Sequence, residues 1–255
     1  MEEKDLNKGV SRRDLMLGVG TFAIGAAVAQ FGGLASKATA KEAPKFPYPY
    51  KKLDLNKVGE RAYENWYNGF CTYAVVQGVL GTLQDEVGEP YSSLPLEAFI
   101  FGHGGVVGWG TACGTIIGAG LSAGFVAGGP KAGSTGEMIT NEVIHYYAET
   151  ALPIFEPKNS KMPNFTPVTC ISDSPLCHIS TNRWSKKSGF KFATPQRKDR
   201  CARLAANVAM QTATLLNQWQ DGKFEAKHDG QIKLYGTTSQ NNCTDCHGAK
   251  VPSAT

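Results

Sequence analysis

The 255-residue chain reads as an all-α fold, a four-helix bundle that carries two irregular inserts. Three features predict it. Four segments repeat apolar residues at intervals of three and four, nothing alternates convincingly enough to be a strand, and Gly and Pro clusters separate the segments. After a Pro- and Lys-rich lead-in over 41–54, the first segment sets Tyr63, Trp66, Tyr67, Phe70, Cys71, Ala74, Val75 and Gly78 on one face. Pro90, Pro95 and the glycines from Gly102 to Gly110 break that pattern. The second helix is expected from about Thr111 to Ala127, with an inward stripe of Cys113, Ile116, Ile117, Gly120, Leu121 and Gly124 whose glycines admit a neighbouring backbone. The third runs from about Glu137 to Leu152 and stops at Pro153. The fourth, 194–220, opens with Thr194 as cap and Pro195 in the first turn. Its stripe is Cys201, Leu204, Ala205, Val208, Thr212, Leu215, Leu216 and Trp219. The first three helices make a domain over 41–152, and the inserts are 153–193 and 221–255.

Residues 1–40 read as an export signal. Arg12 and Arg13 stand in Ser11-Arg-Arg-Asp-Leu-Met16, an apolar run follows from Leu15 to Phe31, and Ala38-Thr-Ala40 resembles a cleavage site. The run is short and rich in Gly and Ala, marginal as a membrane span, and no other stretch is long enough to cross a bilayer. The expectation is a periplasmic protein without a span once the signal is removed. Twin-arginine signals resemble those of the route that exports folded proteins, which commonly carry a cofactor inserted beforehand. The 26 basic residues are scattered and nearly matched by 22 acidic ones, which argues against a nucleic-acid partner.

Seven cysteines and five histidines hold the chemistry. Cys243-Thr-Asp-Cys246-His247 is the C-x-x-C-H run that attaches c-type haem: two thiols reach the porphyrin vinyl groups, and His247 becomes the proximal iron ligand. A second Cys-His pair, Cys177-His178, has Cys170 seven residues upstream. It reads as a wide-spaced site for a second covalent haem with His178 proximal, held by two thioethers or by Cys177 alone; the remaining alternative is no haem there at all. His228, His103 and His145 are the candidate distal ligands. The spacing of His145 from Glu142 and Glu149 puts it on a polar face.

Cys71, Cys113 and Cys201 come from three helices and share inward faces. They are candidate ligands of an iron–sulfur cluster, with Cys170, Cys177 or a non-cysteine group as the fourth; a disulfide is the competing reading. Gly118-Ala-Gly120-Leu-Ser-Ala123 follows no strand, so no dinucleotide site is assigned to it.

With the cysteines placed, the chain resembles the C_GCAxxG_C_C redox-associated family. Cys71 matches the first cysteine, Trp109-Gly-Thr-Ala-Cys113-Gly-Thr-Ile-Ile-Gly118-Ala is similar to the central motif with Ala112 where glycine is expected, Cys170 or Cys177 fits the third position and Cys201 the last. The export signal and the two Cys-His segments make it similar, more narrowly, to the split-Soret cytochromes c of sulfate-reducing bacteria. That resemblance implies a homodimer with a haem-free helical domain and two stacked haems c per subunit. It also implies bis-histidine ligation in which each iron takes one histidine from the other subunit.

Two axial imidazoles leave iron no open position, so the expected function is electron transfer between redox protein partners rather than catalysis. The alternative is a haem enzyme with one open iron face, of the peroxidase or the nitrite or hydroxylamine reductase type.

Overall fold

The computed structural model describes residues 45, 47–129 and 133–228. The expected export signal, Cys243, Cys246 and His247 lie outside the described residues.

The fold is all-α. Helix α1 spans Leu55–Val76, eight residues earlier than its apolar stripe begins, because Asp54 caps it by accepting a hydrogen bond from Lys57 N. It continues through one π turn, Gln77–Gly81, into α2, Thr82–Glu86. Two 3-10 segments, Tyr91–Ser93 and Leu96–Gly102, occupy the stretch that Pro90 and Pro95 mark as broken. Helix α3 is Gly114–Ala127 and α4 is Thr135–Glu149, capped by Ser134. Helix α5, Cys177–Ser188, is followed by α6, Pro195–Gln220, with Thr194 as its cap. Among the described residues there are no strands, only isolated bridges at Ala112 with Leu176 and Leu152 with Cys170.

Helices α1 and α6 form the main seam, and α3 packs on both and on α4. Small residues set the closeness of the seams. A Cβ on Gly78, in the π turn, would lie 2.9 Å from Ala62 Cβ of α1 and 3.2 Å from Ala209 Cβ of α6, so the chain packs tightly at that point.

Four sequence expectations change. The insert 153–193 is not wholly irregular, since α5 lies within it, anchored by the fully buried Trp184 and ended by Gly189 in a left-handed conformation (φ 78°). Phe70 is not on the buried face of α1: it breaks the helix at φ 62°, ψ −153° and is 42% exposed. The buried face of α3 is rotated toward Gly114, Thr115, Gly118, Ala119, Ser122 and Ala123. Gly124 makes no close approach and Gly120 meets only the Thr140 side chain of α4, 3.3 Å from where its Cβ would be; Gly114 and Gly118 lie tight against Cys71, Thr72 and Val75 of α1. His145 lies not on a polar surface but buried, beside an equally buried Glu142.

Candidate iron centre

Four cysteines converge where the N-terminal ends of several helices meet. The break at Phe70 makes Cys71 the first residue of a new helical segment, Cys113 is the N-cap of α3, and Cys177 is the first residue of α5. Helix N-termini favour anionic sulfur. Cys201 is on the second turn of α6. Burial first, and then the negative charge that Cys113 and Cys201 would carry, raise the Cys71 thiol. Cys113 is lowered, first by the hydrogen bond it shares with Cys177 and, against burial, by Thr115, whose hydroxyl is 3.2 Å from its sulfur. Cys177 is raised, first by that same hydrogen bond, then by burial and its three cysteine neighbours.

Backbone geometry fixes this meeting. Gly104, Gly105, Val106, Val107 and Gly108 all take positive φ, between 50° and 83°, a left-handed coil that β-branched residues resist. The coil delivers residues 110–113 to residues 175–178, where Cys113 N donates to Pro175 O at 2.9 Å, Cys177 N to Thr111 O at 2.8 Å and His178 N to Gly110 O at 3.1 Å. On the other side Thr72 Oγ1 donates to Gly114 O at 2.8 Å and reaches Gly102 O at 3.1 Å, binding the turn after Cys71 to the start of α3. The strained φ at Phe70, on the order of 1–3 kcal/mol for such a conformation, sits immediately before Cys71.

The surroundings suit an anionic, sulfur-rich group. Arg200 is 2% exposed; its Nη2 donates to Ser180 Oγ at 2.8 Å and its Nη1 lies 3.8 Å from Cys201 Sγ. No carboxylate among the described residues pairs with it, in contrast to Arg203, whose Nε meets the buried Asp199 at 2.7 Å. An unpaired buried cation is costly. Burial works against the Arg200 charge, and Cys201, Tyr147 and Cys113 outweigh it. Three buried donors lack a partner around the quartet: Trp66 Nε1 beside Cys71, Tyr147 OH beside Cys113, and Arg200 Nε. Unmet donors aimed at sulfur, an uncompensated guanidinium and thiols at helix N-termini fit an iron–sulfur group bound by Cys71, Cys113, Cys177 and Cys201.

The other expected residues fall elsewhere. Cys170 is held in the bridge to Leu152, with its thiol donating to Ile171 O at 3.4 Å, while Cys177 turns to Cys113. His178 is exposed, 3.1 Å from Asn182 Nδ2 through its Nδ1. His103 precedes the left-handed coil, and its ring lies 5.6 Å from that of Phe70. His145 and His228 are brought together as a pair. Sequence reasoning missed Arg200 and Tyr147; the available signal was Arg200 next to Cys201 at the start of an otherwise alanine-rich inward stripe. Around His103 and His178 the surface is apolar, with Phe101 47%, Val107 59% and Trp109 83% exposed.

Residues 73–215 match the family described as redox-active protein (C_GCAxxG_C_C). The chain is 29% identical to split-Soret cytochrome c of Desulfovibrio desulfuricans over 94% of its own length and 88% of that protein's. The structure of that cytochrome, reported as containing a novel iron centre, superposes with a TM-score of 0.67 over 81% of this chain and 84% of its own. Among the described residues no helix is long and apolar enough to cross a membrane.

Proposed function

The chain belongs to the C_GCAxxG_C_C family and is a redox protein, and from that premise we propose that it is a periplasmic c-type cytochrome that carries electrons between protein partners. Its similarity to split-Soret cytochrome c supports haem as a cofactor, and Cys243, Cys246 and His247 supply the attachment and the proximal imidazole. An iron–sulfur centre is assigned to Cys71, Cys113, Cys177 and Cys201. When bound, these groups supply one-electron redox chemistry. The chain's own contribution is to hold four sulfurs away from water, to direct the Trp66 and Tyr147 donors at them, and to set the positive charge of Arg200 beside Cys201. The observation that carries the assignment is Arg200, buried without a carboxylate against the cysteines.

One sulfur cannot serve as thioether and cluster ligand together. Giving Cys177 to the centre leaves Cys170 alone for the second haem, with the exposed His178 as its proximal ligand. His103 is the favoured distal ligand, because it stands at the same exposed apolar face as His178. Trp109, Val107 and Phe101 on that face support a homodimer that covers it, in which an axial histidine crosses between subunits. Arg12 and Arg13 support export by the twin-arginine route.

The test is iron, acid-labile sulfide and haem analysis of full-length protein purified without air. The reading expects labile sulfide in the wild type and none in Cys113→Ala, with covalent haem in both; a wild type without sulfide overturns the centre.

A further inference from the structure

Phe70 carries a conformational cost that burial does not offset. Its φ of 62° and ψ of −153° fall in a region essentially reserved for glycine. Gly69 stands one position earlier and keeps helical dihedrals, so the strained place is given to the residue with the larger side chain. With 42% of its surface exposed, the ring is not held there by the core. It lies instead in a row of rings. Trp66 is on one side, with centroids 5.4 Å apart and planes at 86°, and His103 is on the other, at 5.6 Å and 48°. Trp66 is 2% exposed with its Nε1 beside Cys71, and Cys71 follows Phe70 in the chain. His103 is fixed by the left-handed coil, whose Gly108 N donates to His103 O at 3.1 Å. The row thus begins at a sulfur of the iron centre and ends at a histidine on the exposed apolar face.

On the reading that Cys71 binds the iron centre and His103 ligates a haem, we propose that Phe70, backed by Trp66, is the bridge through which electrons pass between the two groups. One electron leaves the reduced group and reaches the oxidised one. Both rings stay neutral, and no bond or proton changes place. Electronic coupling falls steeply across water or a gap and more slowly through bonds and touching atoms. From the Cys71 sulfur the route runs along bonds into the Phe70 ring and then crosses a single ring contact to His103. Without that ring the same interval opens toward solvent. The positive φ takes the side chain out of the helical register of α1, which accounts for an aromatic residue in a glycine conformation.

The experiment is laser-flash reduction of the full-length holoprotein without air, with a photogenerated flavin semiquinone as electron donor. The readout is the concentration-independent phase in which haem and iron–sulfur absorbances change together in opposite senses. Phe70→Gly removes the ring and relieves the backbone, so its thermal midpoint is expected at or above that of the wild type while the exchange slows several-fold. Phe70→Tyr keeps the ring and is expected to exchange at the wild-type rate. Phe70→Leu fills the place without a ring and takes over the test if circular dichroism shows Phe70→Gly unfolded. An unchanged rate in the folded ringless variant, or no such phase in the wild type, overturns the bridge. A slower rate with an altered midpoint potential or sedimentation coefficient overturns it too, because the ring then acts on a cofactor or on the assembly. Failure of the underlying reading is distinct: a wild type without acid-labile sulfide removes the iron centre, a haem that stays low-spin in His103→Ala removes the ligand, and either overturns the bridge with it.

Discussion

Arg200 and Cys201 are neighbours in sequence whose side chains meet in the interior: the guanidinium Nη1 lies 3.8 Å from the sulfur, and the arginine is 2% exposed. A helix normally sends adjacent residues in different directions. Here both are held because α5 closes over the start of α6, with Ser180 accepting from Arg200 Nη2. The positive charge is balanced by sulfur in place of a carboxylate.

Arg200→Gln keeps a donor and removes that charge. Reduction adds negative charge to the iron centre, so the reduction potential falls in the variant. A unit charge near 4 Å at an effective dielectric of about 20 is worth up to about 4 kcal/mol; with 59 mV per tenfold change for one electron, a drop on the order of 100 mV is expected. Potentiometric titration of the electron-spin signal measures it, and an unmoved potential contradicts the role given to Arg200.

Cys177→Ser and Cys170→Ser separate the cysteine roles. The first is expected to lose the iron–sulfur signal, because its sulfur turns to Cys113. The second is expected to keep that signal. Haem counted per denatured chain then decides the second haem: a loss of one haem in Cys170→Ser makes Cys170 a thioether.

Gly114→Ala tests the close approach of α3 to α1. The added Cβ would collide with Gly102 O and lie 2.8 Å from Cys71 Cβ. Forced overpacking of this kind costs about 1–3 kcal/mol. A lower thermal midpoint with reduced iron content is expected; native-like stability and iron content would show that the seam is looser than described.

Attachment of residues 227–228 to α4 depends on pH through Glu142. Burial raises its pKa, but the backbone N–H of His228, the His228 ring and the Lys227 N–H outweigh it and leave it lowered. A lowered carboxylate stabilises the fold above the ordinary carboxylate range, and that contribution is lost as pH falls through its folded value. His145, His228, Glu149 and Lys227 are the charged or titratable neighbours. Hydrogen exchange at the 227 and 228 amides, corrected for the intrinsic rate, is expected to be slow at pH 6 and to accelerate below about pH 4. Fast exchange already at pH 6 contradicts the clamp.

Much of the bundle was legible because its apolar spacing is helical: Cys71, Cys113 and Cys201 were read as inward-facing, and they are buried. What failed was set by partners distant in sequence. Helix α5 has no apolar stripe; one buried tryptophan, Trp184, and the contact of Ser180 with Arg200 hold it. Helix α3 is apolar all round, so hydrophobicity could not choose its face, and the small side chains that let α1 approach did. Phe70 carries no local signal for a positive φ. His145 looked polar because Glu142 is charged, yet Glu142 is satisfied by backbone donors of residues 227 and 228.

The most direct test of the central claim is an electron-spin and optical spectrum of full-length protein purified without air, recorded as reductant and then carbon monoxide are added. The account predicts an iron–sulfur signal that Cys113→Ser abolishes, beside a low-spin c-type haem that carbon monoxide leaves unchanged. A spectrum with no iron–sulfur signal, or a haem that binds the gas, would contradict it.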